Sequence, residues 1–224
     1  AISEDRMDEA MIIVAMNSDA YAGTCYMYYP ETFTDYGSGL SISYFPRGGD
    51  AVTFARLLHH EANGHGFAKL ADEYAYDYKG EVTVDERNKT IGDQSNRDWW
   101  KNVDFTGDPS KVRWSYFLED ERYANEGLGV FEGGLTYWTG VWRPTETSIM
   151  DNNTGGFNAP SREAIYYRIN KLAYGKDWEY DYEEFVKYDA VNRTAATRSY
   201  SPAPAFEMPG APIRTGISWK EAKE

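Results

Sequence analysis

The chain has 224 residues, a formal net charge of -13 and a hydrophobic fraction of 42%. That length suits one domain with a buried core, the apolar content excludes intrinsic disorder, and no apolar run approaches the ~18 residues a membrane span needs. The acid surplus argues against a nucleic-acid partner, which draws on clustered Lys and Arg, and a single cysteine, Cys25, excludes an intramolecular disulfide and a thiolate-rich zinc module.

Residues 11–16 (MIIVAM) are wholly apolar and are followed by Asn17-Ser18-Asp19, which predicts a buried strand ending in a turn. Residues 40–45 (LSISYF) alternate, with Leu40, Ile42 and Tyr44 on one face and two serines opposite, which predicts a half-exposed strand. Gly48-Gly49-Asp50 then makes a turn with Asp50 placed to cap a helix over 51–70. Phe54, Leu57 and Leu58 give that helix its apolar stripe, while Asn63-Gly64 and Gly66 should distort its second half. Residues 76–126 read as a long, polar excursion with short helices, and 127–142 as one more short strand. A second helix is predicted over 159–173, capped by Asn158, with Pro160 in its first turn and Gly175 beyond its end. After Gly175 periodicity is lost, and the Pro-rich residues 201–210 read as an extended tail. The organisation expected is a catalytic unit over 1–175 and an irregular, Pro-containing extension over 176–224.

All three histidines, His59, His60 and His65, fall within seven residues of one another. His60-Glu61-Ala62-Asn63-Gly64-His65 is close to the H-E-x-x-H zinc motif, in which two imidazoles one helical turn apart hold an ion and the Glu lies beside its water. There is one residue too many. On an ideal α-helix His60 and His65 would stand roughly 140° apart, which forbids joint ligation. A π-bulge absorbs the extra residue and restores a common face, and Asn63-Gly64 is where it fits. The same H-E-x-x-x-H spacing resembles that of the dipeptidyl peptidase III family. Ordinary surface or core histidines are the plainer alternative; three together, with Glu61 following His60, favour zinc. His59 reads as pointing elsewhere, either behind the ligands or in a purely structural role, because the Glu must follow its ligand directly.

A catalytic zinc site usually has three protein ligands, and no further histidine exists. The third must be a carboxylate, a thiolate or a tyrosine. Asp72 and Glu73 are nearest; Asp72, seven residues after His65, is favoured, and whichever is not the ligand belongs to a solvated acidic loop.

HEANGHGFAKLADEY, with its Leu70, Asp72, Glu73 and Tyr74, and TSIMDNNTGGFNAPSREAIYYRI over 147–169 together resemble the immunoglobulin-A metallopeptidase family. Phe131-Glu132-Gly133, Arg143-Pro144 and Ser148-Ile149-Met150 also resemble that family's run into its methionine turn. The matches cover most of residues 26–174 and none of the tail after Gly175; the extra residue before His65 departs from the family's H-E-x-G-H.

The resemblance implies an α+β, metzincin-like fold: a small twisted mixed sheet on an active-site helix, then an irregular segment, a methionine turn and a C-terminal helix. A further N-terminal portion is expected, since such sheets usually have more strands before the helix. The implied activity is a zinc endopeptidase acting on a protein or peptide substrate. Glu61 is its general base, activating a metal-bound water; His60, His65 and Asp72 hold one Zn2+, and Met150 forms the floor beneath them. Its oxyanion tyrosine is replaced by Asn152; Tyr74 reads as a packed loop tyrosine. The strand over 40–45 could pair with extended substrate at an open sheet edge. An extracytoplasmic location follows from the resemblance alone. The alternative is a weakly active or inactive peptidase-like binding protein at the cell surface, suggested by 19 tyrosines and seven tryptophans.

Overall fold

A computed structural model describes residues 2–32, 37–196 and 210–223. It is α+β. The strands β1 (Met11–Met16), β2 (Thr24–Tyr29), β3 (Ser41–Pro46) and β6 (Ile213–Ser218) form a mixed sheet in the order β1-β3-β2-β6. β1 runs parallel to β3, β2 antiparallel to β3, and β6 parallel to β2. Two strands, β4 (Phe131–Gly134) and β5 (Tyr137–Arg143), make a separate antiparallel hairpin where one strand was expected.

Two strand readings are corrected by this order. β1 is an edge strand, not a buried one: Ile12, Ile13 and Met16 are about two-fifths exposed, because β1 pairs with β3 on one side only among the described residues. β3 is an interior strand flanked by β1 and β2, so it has no open edge to offer a substrate. Its faces are also reversed. Ser41 and Ser43 are fully buried, while Ile42 and Tyr44 are only partly so. The serines face the helix that carries the histidines.

That helix begins as α1 (Ala51–Leu57), capped as expected by Asp50, whose Oδ1 accepts from Val52 N and Thr53 N at 2.8 and 2.9 Å. It then continues as a π-helix over Leu58–Phe67. Ser43 Oγ donates to Glu61 O and Ser41 Oγ to Gly66 O, each at 2.9 Å, so the buried serines satisfy carbonyls that a hydrophobic face would have left bare. A Cβ on Gly66 would sit 3.1–3.2 Å from Ser43 Oγ, Met11 Sδ and Ser41 Oγ, so glycine lets helix and sheet approach this closely.

Lys69, at φ 54°, turns the chain out of the helix. Its buried Nζ donates to Gly39 O and Gly66 O, both at 2.8 Å, tying the strand entrance to the helix end. Burial, with the Arg168 charge adding to it, brings this ammonium down to about 7. Between about pH 7 and 10.5 the unfolded chain therefore binds more protons at this residue than the folded one, and this contribution to stability rises with pH by up to about 1.4 kcal/mol per unit. Urea unfolding between pH 7 and 9 should show that rise, and Lys69→Met should be less stable throughout but lack this part of the slope.

The excursion after the site is more regular than its composition suggests. α2 (Val84–Arg97) is a 14-residue helix whose buried positions are the polar Thr90, Asp93 and Gln94. Gln94 Nε2 donates to Trp100 O and Val103 O, and Trp100 Nε1 donates to Asp93, so α2 docks through hydrogen bonds onto the Trp99–Trp100 core. A short helix, α3 (Ser115–Glu119), follows.

The turn helix α4 (Ile149–Asn152) leads to α5 (Ala159–Tyr174), capped by Asn158 Oδ1 accepting from Ser161 N. Among the described residues, the extension expected to be irregular carries a helix and a strand. α6 (Tyr182–Ala196) buries Phe185 and Val186, and β6 joins the sheet next to Trp219 in the core. Of the Pro-rich tail, residues 201–209 lie outside the described residues. No helix among those described is long and apolar enough to cross a membrane.

Candidate metal centre

In a π-helix each backbone hydrogen bond spans five residues instead of four, so residues five apart stand one above the other. Ala68 N donates to Asn63 O at 3.0 Å in this register. The extra residue of the motif is absorbed, and His60 and His65 face the same point with their Nε2 atoms 3.1 Å apart. The distortion is a run of ten residues, longer than the single bulge expected. Gly64 leaves room for Met150, since a Cβ at that position would lie 2.4 Å from the Met150 Sδ. Met150 is fully buried against the helix, clustered with Ala68, Leu70, Ile149 and Ala164.

Asp72 closes the group. Its Oδ1 is 3.1 Å from His60 Nε2 and 3.2 Å from His65 Nε2, and all three side chains are buried. His60 Nδ1 lies 2.7 Å from Ile149 O and His65 Nδ1 2.7 Å from Leu70 O. A carbonyl oxygen can only accept, so both Nδ1 atoms carry the hydrogen and both neutral rings present an Nε2 lone pair to Asp72. Three acceptors then converge with no donor among them, an arrangement that calls for a cation or a proton.

Three distances of 3.1–3.2 Å are close to the ~3.3 Å edge of a tetrahedron with ligand bonds of 2.0–2.1 Å. Asp72 Oδ2 is buried with no hydrogen-bond partner among the described residues. The same field acts on protons: burial opposes a charge on His60, but Asp72 and Glu61 override it and raise this imidazole to about 9. His60, His65 and Asp72 thus form a buried group that could hold a metal ion.

Glu73 is turned the other way. Its carboxylate accepts from Asn102 Nδ2 at 2.8 Å, Ser148 Oγ at 2.7 Å and Asn158 Nδ2 at 2.9 and 3.0 Å. Far from a solvated loop acid, it is a fully buried staple joining the ligand loop to the α4–α5 turn. Glu73 N also donates to Met150 O at 2.8 Å. Asn102, Ser148 and Asn158 were not singled out for this role by sequence, because they come from segments far apart in the chain.

Glu61, on the same π-helix, is fully buried, and neither carboxylate oxygen has a hydrogen-bond partner among the described residues. Burial lifts this carboxyl to about 7, with His60 and His65 pulling it down. It lies against Gly23, where a Cβ would fall 2.2 Å from Oε1. Gly23 O also accepts from Gly210 N at 2.9 Å, which brings the C-terminal segment alongside.

The remaining side chains divide simply. His59 stacks on Phe157 at 6.4 Å, away from the group. Tyr74 is buried, its ring stacked 6.5 Å from His60 and its hydroxyl 3.4 Å from that of Tyr76. Asn152 accepts from Thr154 N within its own loop. No protein-family model and no curated protein matches the chain.

Proposed function

We propose that the protein is a zinc-dependent endopeptidase. The observation that carries this reading is the convergence of His60 Nε2, His65 Nε2 and Asp72 Oδ1, all within 3.2 Å of one another, beside a buried Glu61 without a hydrogen-bond partner. Two imidazoles and one carboxylate are a donor set suited to zinc with an open position. Zinc held there supplies Lewis acidity for a substrate carbonyl and makes a coordinated water acidic near neutral pH.

The protein's own contribution is proton handling. Glu61, raised to about 7 by burial, is matched to accepting a proton from the attacking water and returning it to the leaving amine at neutral pH. Among the described residues its two carboxylate oxygens have no competing partner to be displaced first. The Nδ1–carbonyl bonds of His60 and His65 hold the rings in the tautomer that ligation requires. Met150 fills the space under the helix, and Glu73 holds the loop that presents Asp72. An extracytoplasmic site of action belongs to this reading through the resemblance alone.

Elemental analysis of protein purified without added metal should give about one zinc per chain. The zinc-loaded protein should cleave a denatured protein substrate, chelation should stop cleavage, and added zinc should restore it. A folded, metal-free protein inert on a broad substrate panel would remove the proposal in favour of a binding protein.

A further inference from the structure

A cavity of about 280 Å3 opens beside the metal group, with Asp72 in its wall. Its other walls come from the loop that carries Lys79, the β4–β5 hairpin, α2 and the C-terminal segment around Ala211 and Arg214. Three cationic side chains line it, Lys79, Lys89 and Arg214, against two acidic ones, Asp72 and Glu86. The acids are already engaged: Asp72 faces the two histidines, and Glu86 takes Arg214 Nη2 at 2.9 Å. Arg214 Nε is also paired with Asp93, at 3.1 Å. Neither Lys79 nor Lys89 has a carboxylate partner among the described residues, in a chain with a net charge of -13.

Lys79 is the better placed of the two. Lys89 is exposed, whereas Lys79 is half-buried, and its Nζ donates to Thr136 Oγ1 at 2.6 Å and stands 4.5 Å from the Tyr137 ring centre. Its backbone is held as well. Tyr76 N donates to Thr136 O, Lys79 N to Tyr76 O, and Trp138 N to Gly80 O, so the ammonium is presented from a laddered segment. One of its three N–H groups goes to Thr136, which leaves two for a ligand.

We infer that this cavity is a specificity pocket that takes an acidic side chain of the peptide substrate, with Lys79 as the group that reads its carboxylate. This rests on the endopeptidase reading for its substrate class. Because Asp72 belongs both to the cavity wall and to the metal group, and an extended chain advances only ~3.3–3.6 Å per residue, the residue selected is within one or two positions of the scissile bond. A cation held in a part-enclosed wall discriminates a carboxylate from its neutral amide far better than an exposed surface lysine does.

The test is binding, which needs no turnover. Fluorescent peptides with one Glu moved through successive positions, and the same set with Gln, are titrated into the zinc-loaded Glu61→Gln protein. At one position Glu should bind at least ~10-fold tighter than Gln, and the preference should shrink as salt is raised. Adding Lys79→Met should abolish the preference and Lys79→Glu should reverse it towards a Lys-bearing peptide, each variant being checked for an unchanged unfolding transition. Equal affinity for Glu and Gln at every position, no binding of any peptide, or a preference untouched by Lys79→Met in folded protein would overturn the inference. A wild-type protein that shows the preference yet cleaves nothing would leave the pocket in place and remove only the endopeptidase reading.

Discussion

Glu61→Gln is expected to leave the zinc content at one ion per chain and to lower kcat by ~10²–10⁴-fold, the usual contribution of a positioned general base. The substitution is close to isosteric, and the side chain it replaces makes no hydrogen bond to any of the described residues. Glu61 is not one of the three convergent ligand atoms, so ligation should survive. KM should move little. A parallel loss of zinc and of activity would mean that Glu61 is holding the site together and would take the general-base role from it. Retention of activity within a few-fold would mean that another group handles the proton.

The second large effect separates two adjacent acids. Asp72→Asn should weaken zinc binding by more than ~100-fold, since removing even an outer-sphere partner of a ligand costs 10–100-fold. Glu73→Gln should leave about one zinc per chain but lower folding stability by about 1–3 kcal/mol, because an amide nitrogen would then confront the donors of Asn102, Ser148 and Asn158. Competition with a chromogenic chelator measures the first and urea unfolding the second. The reverse pattern would transfer ligation to Glu73.

The caps at Asp50 and Asn158 were legible because a helix N-terminus needs an acceptor and these residue types supply one locally. So was the need for a wider helix, since the five-residue separation of His60 and His65 admits a shared ion only if the helical register changes. The choice between Asp72 and Glu73 was readable only as a preference. What separates the two acids is tertiary: Asn102, from the loop after α2, and Ser148 and Asn158, from the α4–α5 turn, hold the Glu73 carboxylate, while Asp72 meets His60 and His65.

Hydrophobic pattern misled wherever the buried face is polar. In β3 the serines, together with Phe45, face the helix, and Ile42 and Tyr44 do not, because the helix carbonyls at Glu61 and Gly66 need donors. α2 buries Thr90, Asp93 and Gln94, and α6 buries Asp189, which accepts from Arg162 and Tyr123, so neither helix shows a plain apolar stripe. β1 erred in the other direction. Its six apolar residues read as buried, but position in the sheet, which no local pattern encodes, puts them at an edge.

The most direct measurement is X-ray anomalous scattering at the zinc edge from crystals of protein purified without added metal. One peak is expected, bonded to His60 Nε2, His65 Nε2 and an Asp72 oxygen, with Glu61 beside it and Glu73 unbound. A folded protein with no peak at this group, or an ion held by Glu73 in place of Asp72, would contradict it.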